Sequence, residues 1–152
     1  MTSYEKIYSR FLGKIKTYDI PNMPTDIAYE LMNEYLHSSF AIPHVRKLFS
    51  SLLTDDERMV VEFTLTRSID EDSDERFVVD IISDGMALAW VTPRVLNVQI
   101  IDQMFGGKEE KFYSQSNHLS VLQGLKERLE KDIRKKAKHH GYLNNSYSSE
   151  GI

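Results

Sequence analysis

Cysteine is absent from the 152 residues of this chain. Its absence excludes a disulfide framework, a zinc site with thiolate ligands and a cysteine nucleophile, and it is consistent with a reducing compartment. A chain of this length can close a single hydrophobic core without disulfides or a metal. Apolar residues make up 41% and charged residues 28% of the sequence, so we expect a folded domain.

Long apolar runs are also scarce. The most apolar stretch, residues 77–91, is interrupted by Asp80 and Asp84, and a membrane span needs about 18 apolar residues. Three of the first ten residues are charged, so the apolar core of a signal peptide is missing there. We therefore expect a soluble protein that is not exported and has no membrane partner.

Charge is unevenly distributed, although the formal net charge is only −4. Residues 55–80 contain ten acids and three bases, whereas residues 126–140 contain seven bases and three acids. Such asymmetry is more informative about partners than the total charge. The sequence thus has one acidic segment and one basic segment.

Apolar residues recur every three or four positions through most of the chain, which is the spacing of a helix face. The pattern predicts helices over residues 4–15, 27–36, 77–90 and 118–137, with shorter helical stretches at 45–53 and 95–105. We expect the third long helix to end near Pro93. The predicted N-caps are Ser3 for the first helix, Thr25 or Asp26 for the second, and Ser116 or Asn117 for the last.

Residues 61–67 alternate apolar and polar side chains and predict a strand. The expected fold is therefore mainly α: a small bundle of four to five helices, with a short β-strand or hairpin before the third long helix. We expect a single helical domain over residues 1–143, ending in a long C-terminal helix. Residues 144–152, which are polar, are expected to be a flexible tail.

The sequence contains no arrangement typical of a catalytic, cofactor-binding or metal site. No two histidines have the four-residue spacing that places two imidazoles on one helix face. Asp80 and Asp84 are one turn apart without a partner histidine, and we interpret them as surface carboxylates. We expect no enzyme activity and no cofactor.

The C-terminal helix is basic, but it also carries acids four residues before bases. This spacing predicts ion pairs along one helix, namely Glu127–Lys131, Glu130–Arg134 and Asp132–Lys136. The interleaved acids and an isoelectric point of about 5.7 weaken the case for DNA recognition. A helical nucleic-acid-binding or regulatory protein that uses this basic helix remains the alternative.

Two short sequence motifs suggest a family. Residues 84–90 read Asp-Gly-Met-Ala-Leu-Ala-Trp, with Pro93 soon after, and residues 112–119 read Phe-Tyr-Ser-Gln-Ser-Asn-His-Leu before the basic helix. With the opening helix and the strand near Phe63, they give most of residues 4–143 an order of elements that resembles the head-tail connector, or adaptor, proteins of tailed bacteriophages. The resemblance implies that the helix containing residues 85–90 packs in the core and that residues 113–117 cap the last helix.

The resemblance also implies a function: a structural subunit of the virion neck that attaches to the portal protein and connects head to tail. By the resemblance, the subunits would assemble in the host cytoplasm into a dodecameric homo-oligomeric ring that also contacts the next neck or tail-completion protein, and DNA would pass non-specifically through its lumen. The candidate partner-interface residues are Arg134, Lys135, Lys138, His139, His140, Tyr142 and Tyr147. The candidate lumen-lining residues are Asp70, Glu71, Asp72, Asp74 and Glu75.

Overall fold

The computed structural model describes the backbone of residues 1–15, 24–105 and 109–143, and the side chains of residues 1–15, 24–97 and 119–140. The elements in chain order are β1 (Thr2–Ser3), α1 (Tyr4–Ile15), α2 (Thr25–Ala41), α3 (Pro43–Arg46), β2 (Phe49–Asp55), β3 (Val60–Leu65), α4 (Glu71–Phe105) and α5 (Glu109–Leu143). The expectation of a mainly α fold with a small β element is confirmed. The predicted tail, residues 144–152, lies outside the described residues, as do Gly106 and Gly107.

The core lies where α1, α2 and α5 pack around α4. Phe11 of α1, Leu36 of α2 and Ile82 of α4 are completely buried there, and Ile133 of α5 is 2% exposed. Burying one large apolar side chain contributes about 1.5–3 kcal/mol to stability. The helical periodicity of the sequence thus correctly identified the faces that build this core.

The described strands form an antiparallel sheet in the order β1-β3-β2. The predicted strand at 61–67 corresponds to β3, but the short helix predicted at 45–53 is wrong. Helix α3 ends at Arg46, and the chain enters β2 at Phe49. Pairing with β3 satisfies the β2 backbone, and the ring of Phe49 packs edge-on against Phe40 and Phe63. These contacts outweigh the weak helical spacing of the segment.

The predicted helix break at Pro93 is also wrong, because α4 continues through this residue to Phe105. Proline removes one backbone N–H and disturbs the hydrogen bonding of the preceding turn. Two nearby carbonyls accept side-chain donors: the Thr92 hydroxyl donates to the oxygen of Leu88 at 2.7 Å, and Arg94 Nη1 donates to the oxygen of Trp90 at 2.7 Å. The stretch predicted as a separate helix at 95–105 is therefore the second half of α4.

Of the predicted N-caps, the one at Ser3 agrees with the structure, since its Oγ accepts from the backbone N–H of Lys6 at 3.4 Å. The N-cap of α2 is Pro24, which makes no side-chain cap hydrogen bond, so the prediction of Thr25 or Asp26 is wrong. Helix α5 begins at Glu109, seven residues ahead of Ser116. Residues 113–117 are inside this helix, so neither Ser116 nor Asn117 occupies its N-cap position.

Candidate interaction surfaces

One face of α5 packs on the core and leaves the opposite face in solvent. Leu122, Leu129, Ile133 and Ala137 are buried, and Leu125 is partly buried against the same cluster. These residues are the ones that the sequence pattern placed on one stripe. Because successive residues turn by about 100°, the side chains between them are directed away from α4.

The solvent face of α5 is strongly basic. The basic residues of this face are all exposed, and each lies three or four residues from another one, so they form one continuous band. We call this band the basic stripe; it consists of Arg128, Lys131, Arg134, Lys135 and Lys138. Glu127 and His139 lie on the same exposed face, which gives the face a formal charge of +4 with the histidine neutral.

The ion pairs predicted for Glu130 and Asp132 along α5 differ from those in the structure. The Glu130 carboxylate accepts from Lys126 at 2.8 Å. Lys136 pairs with two carboxylates of α4 rather than with its predicted partner Asp132. Arg134 Nε donates to the backbone oxygen of Glu130 at 3.4 Å, not to its carboxylate. In the described part of the chain, the ion pairs of α5 therefore involve Lys126 and Lys136 and not the basic stripe.

The prediction of surface carboxylates is wrong for Asp84, whereas Asp80 is partly buried, with its side chain 29% exposed. The side chain of Asp84 is 4% exposed, and both Lys14 and Lys136 pair with it. Asp80 pairs with Lys14 at 2.8 Å, with Lys136 at 2.6 Å and with Arg10 at 3.2 Å. We call Lys14, Asp80, Asp84 and Lys136 the charge lock, because they join α1, α4 and α5.

Opposing effects act on the ionisation of the charge lock. Burial opposes ionisation of Asp80, but hydrogen bonds from Lys136 and Lys14 outweigh burial and hold the pKa of Asp80 well below its usual range. Burial likewise disfavours the charged form of Lys136, but its bonds to Asp80 and Asp84 raise its pKa. Both shifts favour the charged forms of Asp80 and Lys136 at neutral pH, and the ion pairs between them serve a structural purpose.

The candidate partner-interface residues differ in exposure. Arg134, Lys135, Lys138 and His139 are exposed, as an interface requires. The assignment of His140 is wrong: it is only 8% exposed, its ring stacks on Phe77 with centroids 4.1 Å apart, and its Nε2 donates to the carbonyl of Arg67 at 3.0 Å. The side chain of Tyr142 and all of Tyr147 lie outside the described residues.

The acids at the start of α4 are also divided. Asp70, Glu71 and Asp72 are exposed. Asp70 accepts from the backbone N–H of Ser73 at 2.7 Å, which makes it the helix cap and lowers its pKa. The sequence indicated this capping role, since acids are favoured near a helix N-terminus.

The other two candidate lumen-lining acids form hydrogen bonds or ion pairs with other residues of the chain. Asp74 is 7% exposed and accepts from the Ser68 hydroxyl and from the backbone N–H of Ile69. Glu75 pairs with Lys6 at 2.7 Å and accepts from the hydroxyl of Thr2. Burial makes Asp74 wrong as a lumen-lining residue, and Glu75 has a structural role between α1 and α4.

A second charged surface was missed by the sequence interpretation. Asp26, Glu30 and Glu34 are exposed at four-residue spacing along α2, and Asp56 of the β2–β3 turn joins them at a groove of about 410 Å³. Aromatic and other side chains complete the wall, namely Tyr4, Tyr8, Tyr29, Asn33 and Met59. We call this feature the acidic groove; the spacing of its α2 acids was visible in the sequence, but the contribution of Asp56 was not.

Hydrogen bonds keep the inner end of the acidic groove anionic. Tyr4 Oη donates to Asp56 at 2.6 Å, and His37 Nε2 lies 2.9 Å from the same carboxylate. The bond from Tyr4 is the largest cause that lowers the pKa of Asp56. Burial raises the pKa of Tyr8 to about 12, so this phenol stays neutral. The groove thus combines carboxylates with neutral aromatic rings.

No family model, curated protein or solved structure matches this chain. Within the described residues, no helix is long and apolar enough to cross a membrane. In the same part of the chain, no three His, Asp or Glu side chains are grouped so that they could hold a metal ion. The charged surfaces are therefore the features on which a functional proposal can be based.

Proposed function

We propose that this chain is a structural subunit of a phage virion neck, which forms a ring on the portal protein and connects head to tail. The observation that carries the proposal is that two large surfaces of opposite charge, the basic stripe and the acidic groove, occur on separate elements of one small helical domain. A head-to-tail ring needs two different complementary surfaces on each subunit. Electrostatic complementarity would guide such subunits into register.

The resemblance in residues 84–90 supports the proposal at the level of the fold. Asp84 belongs to the charge lock, Met86 is completely buried, and Trp90 is 3% exposed. Gly85 lies directly against Ser39 of α2, with no room for a Cβ atom between them. The motif therefore describes the central helix of a compact subunit, and the contacts with neighbours must come from other residues.

In this proposal, the distal part of α5 and the residues after it contact the portal protein or the neighbouring subunit, and the other end of the ring contacts the next neck protein. DNA passes through the lumen, where a repulsive lining helps it to slide. Asp70, Glu71 and Asp72 are the lining candidates that stay exposed. A neck reconstruction that places these three acids outside the channel would contradict this part of the proposal.

Electron microscopy tests the proposed function. The purified chain, alone and mixed with portal protein, is imaged by negative stain, and rings are expected in at least the mixture. Persistent monomers in both samples would refute a ring subunit. A truncation after residue 143 tests the role of the tail, because unchanged portal attachment would show that residues 144–152 are dispensable.

The alternative function is non-specific nucleic-acid binding, which the exposed basic stripe favours. Each phosphate that a base neutralises releases bound counterions, so the logarithm of affinity falls with the logarithm of salt concentration with a slope of about −0.9 per contact. Five bases in contact would give a slope of about −4 to −5. A salt-titrated binding assay with duplex DNA decides the matter, since no binding at low salt would eliminate this alternative.

A further inference from the structure

We propose that the basic stripe of one subunit docks into the acidic groove of a second copy of this chain. This inference rests on the proposed ring function and names the contact that would build the ring. It concerns two surfaces that share no residue, so one chain can use both at once. Such a contact is heterologous, and repetition of it generates a closed ring or an open filament.

Among the side chains that the structure describes, no acid forms an ion pair with a base of the basic stripe. Lys131, Lys135 and Lys138 extend from the side of α5 opposite to Leu129 and Ile133, which pack on the core. Lys126 and Lys136 are already paired with acids of the same chain. The basic stripe thus consists of the exposed bases of α5 other than Lys126 and Lys136, within the part of the helix whose side chains the structure describes.

The two surfaces match in length and spacing. A helix rises about 1.5 Å per residue, so the acids from Asp26 to Glu34 span about 12 Å and the bases from Lys131 to Lys138 span about 10 Å. Asp26, Glu30 and Glu34 are four residues apart, and Lys131, Lys135 and Lys138 are four and three residues apart, which is about 4.5–6 Å along the helix. Two helices in contact can therefore pair these three acids with these three bases.

The walls of the acidic groove suit lysine side chains as well as their charges. Tyr29 is 38% exposed, and its ring lies 6.0 Å from that of Tyr8. The aliphatic part of a lysine can cover such a ring while its ammonium reaches a carboxylate, and an ammonium near a tyrosine face gains a cation–π attraction. These contacts add apolar burial to the ion pairs.

Neutralisation of each surface tests the inference in the full-length chain. The groove variant carries Glu30→Gln and Glu34→Gln, and the stripe variant carries Lys131→Gln and Lys135→Gln. An exposed ion pair contributes about 1.5- to 5-fold in affinity, so the loss of two should weaken self-association on the order of tenfold. Sedimentation velocity at 50 mM and at 500 mM NaCl measures the change, and high salt should dissociate the wild-type assembly.

Matched controls keep the change in net charge equal. Glu5→Gln with Glu62→Gln balances the groove variant, and Lys47→Gln with Arg76→Gln balances the stripe variant. All four of these positions are exposed, and none lies in either surface. Circular dichroism should show the same fold and melting temperature in every variant. If the controls dissociate as much as the tested variants, net charge rather than surface pairing governs assembly and the inference is wrong.

A mixture of the two variants provides the sharpest test. At a concentration where the wild type assembles and the weakened variants do not, each variant alone should be monomeric, but the intact stripe of the groove variant can enter the intact groove of the stripe variant. An equimolar mixture should therefore form dimers and no larger rings, which native mass spectrometry resolves. A mixture that stays monomeric would contradict a contact between these two surfaces.

The outcomes separate this inference from the function on which it rests. If both variants form rings on the portal as the wild type does, the ring function stands and the pairing of stripe with groove is refuted. If the wild type stays monomeric alone at low salt, the pairing is refuted, and imaging with portal still decides the ring function. If the stripe variant loses only DNA affinity, the stripe serves nucleic acid and the inference falls.

Discussion

Gly85 should not tolerate alanine, because Ser39 of α2 lies against it and leaves no room for a Cβ atom. A Cβ atom added at this position would lie 2.0 Å from Ser39 Oγ, 2.8 Å from Ser39 Cβ and 3.2 Å from Ile42 Cδ1. Ser39 cannot easily turn away, since it is completely buried and its hydroxyl donates to the oxygen of Ile82 at 2.8 Å. The extra methyl group must therefore separate the helices or break this hydrogen bond.

The size of the effect follows from three contributions. Overpacking a well-packed core costs about 1–3 kcal/mol, and loss of a buried hydrogen bond costs about 1 kcal/mol more. Alanine recovers up to about 1 kcal/mol, because it is the better residue inside a helix. Gly85→Ala should thus lower the free energy of unfolding by about 2 kcal/mol, or the melting temperature by about 4–8 °C.

Urea and thermal denaturation followed by circular dichroism measure this effect. Gly124→Ala is the matched control: this helical glycine has no atom within 4 Å of an added Cβ, so the change should stabilise the protein by up to about 1 kcal/mol. Adding Ser39→Gly to Gly85→Ala removes the obstructing atoms, so the double variant should lose less stability than the sum of the single changes. A Gly85→Ala protein as stable as the wild type would refute the close packing.

Three further predictions concern charge and burial. Asp84→Asn should cost about 2–3 kcal/mol by urea denaturation, because two lysines lose a buried partner while Asp80 still pairs with them; Arg76→Gln, which breaks an exposed pair, should change stability by less than about 0.5 kcal/mol. His140→Ala should cost about 1–2 kcal/mol through lost stacking and a lost hydrogen bond, whereas equal effects of His140→Ala and His139→Ala would contradict the burial difference. The lowered pKa of Asp80 gives a stabilisation that is fully present above its unfolded pKa of about 4 and lost as pH falls below that value; the melting temperature should therefore fall less steeply in acid for Asp80→Asn than for the wild type.

The helices of this protein were largely predictable because burial leaves a periodic record in the sequence. The buried residues of α1, including Ile7 and Phe11, and those of α5, including Leu129 and Ile133, recur at the spacing of a helix face. The cap at Asp70 was equally local, since the carboxylate bonds a backbone N–H only three residues away. Both kinds of signal depend on near neighbours in the chain.

The errors occurred where distant residues decided the outcome. Strand β2 forms because β3 offers it backbone partners, and its own sequence alternates poorly. Helix α4 passes Pro93 because its flanks pack between three other helices and nearby side chains bond carbonyls around it. His140 is buried because it reaches Phe77 and Arg67, more than sixty residues before it in the chain.

A mainly helical bundle with a basic last helix can be recognised from local spacing and composition alone. Which charges are available to partners depends instead on how the helices pack against one another. Lys136 pairs with Asp84 although 52 residues separate them in the chain, and Lys14 pairs with it across 70 residues. Since charges removed from water must be paired to be stable, the packing of α1 and α5 on α4 selects which charges are paired internally. The remaining bases form the basic stripe, and this selection cannot be made from spacing along one helix.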